Sequence, residues 1–548
     1  MKFKELSQVF TKLSSTTKRL EMTAILEDFF KKLKCEDIGF VVQLCMGKVF
    51  PANDPKELGI ANNMMIETLA ITGGVSVEDV KKLWKIHGDL GETAKYVIGK
   101  KKQVTLYSND LTLDKVKENL YKIPDMTGKG SVEKKLKIVS ELLSNADPEE
   151  ALYLTRIVLG SMRTGVGEGV VRDALGKAFN VTSDDIEKAY NLCTDYSYVS
   201  ETLCKNPKNI SNIKLKLFSP IKVMLFKKVS SVKEGFEEVG KPAIIEVKYD
   251  GMRLQIHKLG NEVRMFTRNL DEVTRQFPDA VKYIKESIKA NECIIEAEMV
   301  GFNPKTDKPE PFQQLSTRIK RKYDVDKLSK DLPVKIFCFD LLMLDKKSFL
   351  DDNFEERHNK LVSIIKPNPN IMIAKGIKTD SESDAEKLFT EGIKEQEGVM
   401  FKNLKAPYQA GSRVGFGVKL KSHMTELDLV ITEAYYGKGK RRDWFGSFTL
   451  SCLDPDDGKY LSIGKLGTGF SDEQFEELTK KLKPLVMKEN NEKVVLTPSV
   501  VVEVEYEEIQ KSPTYDSGFA LRFPRLIRFR NDKKPDEIAT ISDVEELA

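Results

Sequence analysis

Over roughly the first two hundred positions apolar residues recur at three-to-four spacing, in stretches such as 20–33 and 132–143, which predicts a run of amphipathic helices. Ser14-Ser15-Thr16-Thr17 supplies capping residues ahead of Leu20. The stretch 153–167 ends a helix in a glycine-rich turn, and a further helix follows over 170–179. Residues 205–212 are polar, contain Pro207 and predict a linker. Beyond them the period changes from helical to alternating. Strands are predicted at 243–247, 262–267, 293–300, 334–344, 398–402 and 417–421, with helices at 279–290 and 383–392, which is a mixed α/β pattern with a large antiparallel component. Ala243-Ile244-Ile245 reads as a buried strand and Leu254-Gln255-Ile256-His257 as its hairpin partner, so that Lys248 sits at a strand end. Past His423, short strands at 427–436, 444–453, 460–464 and 500–509 with one helix at 472–482 predict a small Greek-key barrel of the OB type.

The pattern therefore divides the chain into an all-α region at 1–212, an α/β region at 213–422 and a β-barrel at 423–548. A chain of 548 residues is too long for one hydrophobic core, which agrees with that division. No apolar stretch reaches the length of a membrane span and the first residues open no signal peptide, so an intracellular protein (cytoplasm or nucleoid) without a membrane partner is expected. The net charge of +4 excludes a uniformly basic nucleic-acid coat but leaves room for local basic grooves, as at 318–322, 438–442 and 522–534. The seven cysteines form no Cys-x-x-Cys pair, which argues against structural zinc and against a disulfide framework. With four histidines in the chain, histidine-centred metal or triad chemistry is not expected.

The candidate chemistry centres on Glu246-Val247-Lys248-Tyr249-Asp250-Gly251-Met252-Arg253. A lysine is a nucleophile only when neutral, so burial and nearby cations such as Arg253 would have to lower its pKa. On this stretch alone a salt-bridged surface lysine beside an Asp-Gly turn satisfies the pattern equally well. Polar residues recur, however, at the other strand ends: Thr267-Arg268-Asn269, Glu296-Ala297-Glu298, Phe339-Asp340, Glu397-Gly398-Val399-Met400 and Lys419-Leu420-Lys421. Carboxylates bind magnesium, cations hold phosphates, an aromatic stacks on a base, and a lysine that attacks phosphorus leaves a phosphoramidate. Nucleotidyl transfer fits that inventory. In the helical region, the amides of Gly165 and Gly167 beside Arg163 are placed to hold DNA phosphates at a helix N-terminus, although a tight helix-helix turn is the simpler use of those glycines.

In order and spacing, the Lys-x-Asp-Gly-x-Arg, Arg-Asn, Glu-x-Glu, Phe-Asp, Glu-Gly-Val-Met, Lys-x-Lys and terminal Arg-x-Asp-Lys elements resemble those of the ATP-dependent DNA ligases of the archaeal and eukaryotic nuclear type, over nearly the whole chain. The resemblance implies that Lys248 attacks the α-phosphate of ATP, that the AMP passes to the 5′-phosphate of nicked double-stranded DNA, and that the adjacent 3′-hydroxyl seals the strand, as in replication, repair and recombination. It implies that Glu246 contacts the adenine amino group, that Phe339 stacks on the base, and that Arg253 and Arg268 hold ribose and phosphate. Glu298 and Glu397 would bind ribose or Mg2+ (or another divalent metal), Lys419 and Lys421 would grip the α-phosphate, and Arg413 would lie at the nucleotide site. Arg525, Arg528, Asp532 and Lys533 would orient pyrophosphate from a mobile barrel, and the protein would act as a monomer. The chain departs from the family pattern at Gly417, where a tryptophan is usual and Phe416 would have to supply the packing, at Ala297, usually Gly, and at Val223, often Pro.

Residues 100–107, with Gln103, Leu106 and Tyr107, resemble a short sliding-clamp-binding loop placed similarly in archaeal ligases, against the alternative of a solvated loop. Two other classes stay in competition: another lysyl-nucleotidyl transferase, such as an RNA ligase or a capping enzyme, and a DNA-binding scaffold without catalysis. The long helical region weighs against the first, and the joint presence of Lys248, Glu298, Glu397, Lys419 and Lys421 against the second. The NAD-dependent ligases usually carry a four-cysteine zinc module, and no such motif stands in this sequence.

Overall fold

The computed structural model describes residues 1–100, 110–319, 321, 325–421, 425–437, 443–490 and 493–548. Gln103, Leu106 and Tyr107 of the expected clamp loop lie outside the described residues, as does the basic run 438–442. The chain forms two compact units, Met1–Lys421 and Ser422–Ala548.

The first unit begins with helices from Phe3–Ser14 to Tyr196–Lys205. The predicted segments 20–33, 132–143 and 170–179 are the helices Arg19–Phe30, Ser131–Asn145 and Glu168–Phe179. Their apolar stripes meet in one core that includes Phe3, Phe10, Leu26, Phe30 and Val171. Two expectations are overturned here. Cys35 and Cys204 form a disulfide across 169 residues, because the helices Cys35–Cys45 and Tyr196–Lys205 that carry them lie side by side. Cysteine spacing carries no trace of that packing. Cys45, Cys193, Cys293, Cys338 and Cys452 are free and buried. The predicted linker is ordered as well: Pro207–Asn212 is a 3-10 helix, capped by the Asn206 side chain, which accepts from Lys208 N at 3.1 Å.

The segment that follows is held on both sides. Lys222 N donates to Asn191 O at 2.9 Å and Thr194 Oγ1 to Pro220 O at 2.8 Å, while Phe218 N donates to His257 Nδ1 at 3.0 Å and Ile221 N to Gln255 Oε1 at 2.8 Å. Asn191 Nδ2 also donates to Ala410 O at 2.9 Å.

Two sheets make up the rest of this unit. The first comprises β1 (Leu225–Val229), β2 (Ala243–Lys248), β10 (Gly376–Thr379), β11 (Gly398–Asn403) and β12 (Arg413–Lys421), in the order β1-β12-β11-β2-β10. The second comprises β3 (Met252–Leu259), β4 (Glu262–Thr267), β5 (Glu292–Phe302), β7 (Val334–Leu344) and β8 (Lys347–Ser348), in the order β4-β3-β5-β7-β8, with β6 (Pro309–Glu310) added to β5 and β9 (Ile371–Ile373) to β7. The expected hairpin is therefore not formed: β2 pairs with β10 and β11, and β3 with β4 and β5. Between them Tyr249-Asp250-Gly251 crosses from one sheet to the other. A Cβ on Gly251 would lie 2.5 Å from Met299 O, so the crossing is as tight as a glycine permits. Alternation then sorts the side chains. Ala243, Ile245 and Val247 enter a core with Val399, Phe401 and Leu420, and Ile244, Glu246 and Lys248 take the opposite face. In the second sheet Leu254 and Ile256 enter a core with Ile295 and Ile336, and Arg253, Gln255 and His257 take the opposite face.

The second unit is the small antiparallel β domain of the OB type that the strand spacing predicts. Its long first strand, β13 (Thr425–Tyr436), pairs along one edge with β14 (Phe445–Asp454), which pairs in turn with β15 (Lys459–Leu466). Along its other edge β13 pairs first with β18 (Val501–Tyr506) and then with β17 (Lys493–Leu496), the partner of β16 (Val486–Asn490), which curls the sheet around Leu429, Phe448 and Phe475. The strand predicted at 500–509 is divided. Its second portion, β19 (Glu508–Lys511), pairs with β20 (Phe519–Arg522), while β21 (Arg525–Phe529) joins β18.

Candidate active site

Register brings the charged residues of the first sheet together. Lys248 on β2 is opposite Gly398 on β11, which is opposite Lys421 on β12, and further along, Glu246, Met400 and Lys419 form another row. Glu397 immediately precedes β11, and its backbone N donates to Lys248 O at 3.0 Å. Its carboxylate receives Lys248 Nζ and, at 2.9 Å, Lys421 Nζ on the same oxygen, Oε2. Gly398 makes this approach possible, because at its φ of +140° a Cβ would lie 2.2 Å from Leu420 O. Burial pushes the Glu397 carboxyl up, but Lys248 and Lys421 outweigh it and hold it at about 2. Burial and the charges of Lys248, Lys421 and Arg268 push Lys419 below the ordinary lysine value. Glu298 is driven the other way, to about 7, by burial first, against the pull of Lys248 and Arg253 and with the push of Glu397. Lys248, Glu298, Glu397, Lys419 and Lys421 thus share one electrostatic field, with Arg253 and Arg268 at its edge.

The second sheet supplies the other polar residues. Arg253 is directly across from Glu298 in the β3–β5 register. Its guanidinium donates from Nη2 to Glu296 Oε2 at 2.5 Å and from Nη1 to Met224 O at 3.0 Å. Tyr408 donates to Glu296 Oε1 at 2.9 Å and accepts from Met224 N at 3.0 Å, which closes the network. Half-buried Phe339 lies under Arg253, ring centre to Cζ 5.3 Å. Glu246 forms a 2.6 Å ion pair with Lys402, and both side chains are buried. Lys402 and Tyr408 lie outside the motifs, and Glu296, the first residue of the Glu-x-Glu element, has no role assigned by the resemblance. Lys402 had a signal, since it continues the alternation of Gly398 and Met400 on the face of Glu246; Tyr408 had none, being a loop residue. The space over Gly417 is filled by Phe226 rather than by Phe416: a Cβ on Gly417 would lie 2.3 Å from the Phe226 ring.

The remaining candidates stand further out. Arg413 is exposed at the start of β12. Arg268 and Asn269 lie beside β4 and line a cavity of about 420 Å³ together with Glu168, Arg172, Tyr190 and Lys222. In the helical region Arg163 and Gly165 both have left-handed backbone, φ +56° and +74°, and Gly167 is the N-cap of the helix Glu168–Phe179. Arg163 Nε is 3.1 Å from Asp89 Oδ2, so this arginine is fixed by an acidic neighbour while its side chain remains about half exposed. In the second unit Arg525 is exposed on β21 and Arg528 pairs with Glu503. Asp532 pairs with Arg530 at 2.8 Å and Lys533 with Asp428 at 2.6 Å. Arg530, the arginine of the Arg-x-Asp-Lys element, also donates to Asp428 at 2.8 Å, which makes it the hub of that element, a role that the resemblance does not assign to it.

Residues 2–176 match the family described as DNA ligase N terminus, 223–421 match the ATP dependent DNA ligase domain, and 441–533 match the ATP dependent DNA ligase C terminal region. A DNA ligase of Nanoarchaeum equitans is 42% identical over 557 residues, covering all of this chain and 98% of its own length. The chain belongs to the ATP-dependent DNA ligase family. A second relative, the DNA ligase of Methanocaldococcus jannaschii, is 39% identical over 573 residues, with 100% and 99% covered. Among solved structures, the protein titled "Pmar-Lig_PreS3" covers 96% of this chain and 99% of its own at a TM-score of 0.58 and 17% identity, a likeness of fold. Membership in this family implies use of ATP. Among the described residues of this ligase no helix is long and apolar enough to cross a membrane, and no three His, Cys, Asp or Glu side chains cluster as a metal cage.

Proposed function

We propose that this ligase seals 5′-phosphate/3′-hydroxyl nicks in double-stranded DNA through a covalent AMP on Lys248. The observation that carries the reading is the meeting of Lys248, Glu397 and Lys421 on one sheet face, with Lys419 in the neighbouring row. The Lys248 amine attacks the α-phosphorus of ATP; the P–N bond forms as the bond to pyrophosphate breaks, and the lysine proton passes to solvent. Glu397, whose carboxyl the charges of Lys248 and Lys421 hold well below the usual carboxylate range, orients Lys248 and balances the cations around it. Lys419 and Lys421 face the charge that develops on the phosphate. A 5′-phosphate oxygen then displaces the Lys248 nitrogen, and the 3′-hydroxyl finally displaces AMP to form the phosphodiester.

Glu298 and Glu397 are the carboxylates that would hold a magnesium ion, which typically takes one or two carboxylates and completes its shell with phosphate oxygens and water. When bound, the ion neutralises charge on the phosphates. Phe339 and Glu246 receive the base, Arg253 and Arg268 the ribose and phosphate, and Arg413 lies at the rim of the nucleotide site. The helical domain, residues 1–212, grips the duplex, with Arg163, Gly165 and Gly167 at its backbone. Residues 213–422 are the adenylation domain, and 423–548 present Arg525, Arg528, Asp532 and Lys533 to pyrophosphate.

Incubation with α-labelled ATP and magnesium tests the reading: wild type should take up covalent label and Lys248→Ala none. Equal labelling of both would overturn it. Sealing of nicked DNA but not of nicked RNA separates this function from that of an RNA ligase.

A further inference from the structure

Glu246 is 2% exposed, and its Oε1 has no hydrogen-bond partner among the described residues. Its other oxygen, Oε2, is held by Lys402 Nζ at 2.6 Å. Lys402 is 6% exposed, its Nζ lies 4.7 Å from the centre of the Phe339 ring, and it donates to Phe339 O at 3.4 Å. One buried ammonium therefore joins the residue assigned to the base edge with the residue assigned to the base face. Gly376, opposite Glu246 on β10, keeps the carboxylate in place, since a Cβ there would lie 2.9 Å from Glu246 Cγ.

We propose that Lys402 sets the base specificity of the nucleotide pocket: its ammonium holds Glu246 as a carboxylate, whose free oxygen accepts the 6-amino group of adenine and repels the 6-oxo group of guanine or hypoxanthine. This rests on the assignment of Glu246 and Phe339 to the base. A carboxylate can only accept hydrogen bonds, whereas a carboxylic acid also donates. Burial pushes the Glu246 carboxyl up, Lys402 opposes that push without cancelling it, and Asp340 adds to it, so the charge on Glu246 rests on the 2.6 Å contact with Lys402. Asp340 is itself neutralised by Arg357, at 2.8 and 3.1 Å, which leaves Lys402 as the group that keeps Glu246 charged. Without Lys402 the buried carboxyl takes up a proton and can donate to a 6-oxo group as readily as it accepts from a 6-amino group. The pocket then loses its reason to prefer adenine.

The test is the rate of covalent labelling of Lys248 in the full chain with ATP and with inosine triphosphate, which differs from ATP at the 6-position and leaves the 2-position bare. Lys402→Met and Lys402→Gln should lower the ATP-over-ITP ratio of kcat/KM by about tenfold or more, through KM, and Lys402→Arg should restore it. A ratio unchanged in Lys402→Met and Lys402→Gln, with both nucleotides slowed alike, would make Lys402 a packing residue and overturn the inference. Glu246→Gln gives the separate control. A ratio unchanged in that variant removes Glu246 from the base site, and with it the reading on which the inference rests, while covalent labelling of Lys248 would still stand.

Discussion

Glu397 binds Lys248 twice, by a backbone hydrogen bond from its N to Lys248 O at 3.0 Å and by an ion pair between the two side chains. The double tie fixes the attacking nitrogen relative to the strand that carries it. Glu397→Gln keeps the backbone bond and removes the charge, so it separates placement from electrostatics. Single-turnover adenylation of Glu397→Gln should fall by about a hundredfold, as when a preorganised group at a developing charge is removed. A drop of less than about threefold would show that the charge of Glu397 is dispensable.

Tyr408 offers a second, milder perturbation. Its hydroxyl donates to Glu296, which in turn holds Arg253, and it accepts from Met224 N; Tyr408 and Glu296 are 4% and 1% exposed. Tyr408→Phe leaves a buried carboxylate oxygen and a backbone donor without their partner, at a cost of about 1–3 kcal/mol in unfolding free energy. Arg253 loses its backing, so KM for ATP in the labelling reaction should rise severalfold while the labelled product remains on Lys248. Unchanged stability together with unchanged KM would remove Tyr408 from the support of the site.

The connector that enters the α/β region should loosen in acid. His257 is fully buried, and burial, then the charge of Arg264, push its pKa down to about 3. Its Nδ1 accepts from Phe218 N, so the imidazole is neutral in the folded chain. Between that value and the unfolded value of about 6.5 the unfolded chain binds a proton that the folded chain does not, and stability is lost as pH falls. On going from about pH 7.5 to about 5.5 the stability advantage of wild type over His257→Gln should shrink by about 1.4 kcal/mol. Denaturant titration measures it, and hydrogen exchange over residues 214–224 shows whether the loss is local. An advantage independent of pH would mean that the imidazole takes up its proton as readily in the folded chain as in the unfolded one.

Much of the site is legible in the chain because strand alternation is local. The spacing of Glu246 and Lys248, or of Lys419 and Lys421, already puts each pair on one face of its strand. Which strands lie side by side is not local information. The Leu254-Gln255-Ile256-His257 alternation has the right length and polarity for a hairpin with β2, yet the Tyr249-Asp250-Gly251 crossing sends it into the other sheet. Alternation puts Lys402 on the face of Met400, but it and the loop residue Tyr408 become site residues only through Glu246 and Glu296, which tertiary packing brings to them. Phe226 shows the converse, a ring 191 positions before Gly417 that fills the space over that glycine, a partner to which no local spacing points.

The disulfide between Cys35 and Cys204 gives the last prediction, and it depends on the loop that the bond closes. A cross-link spanning 169 residues removes more freedom from the unfolded chain than a short one does. The chain-entropy estimate for such a loop is up to about 5 kcal/mol, less any strain in the folded state. Reduction of the full-length protein should therefore lower its thermal midpoint, and Cys35→Ser should melt at the lower value with or without reductant. The remaining thiols are all buried, so alkylation of the folded, non-reduced protein should modify none of them quickly, and two sites should become reactive after reduction. If the midpoint did not respond to reductant, or if Cys35 were alkylated without it, the two helices would be held by packing alone. Cys35 and Cys204 would then be two free thiols at a helix contact.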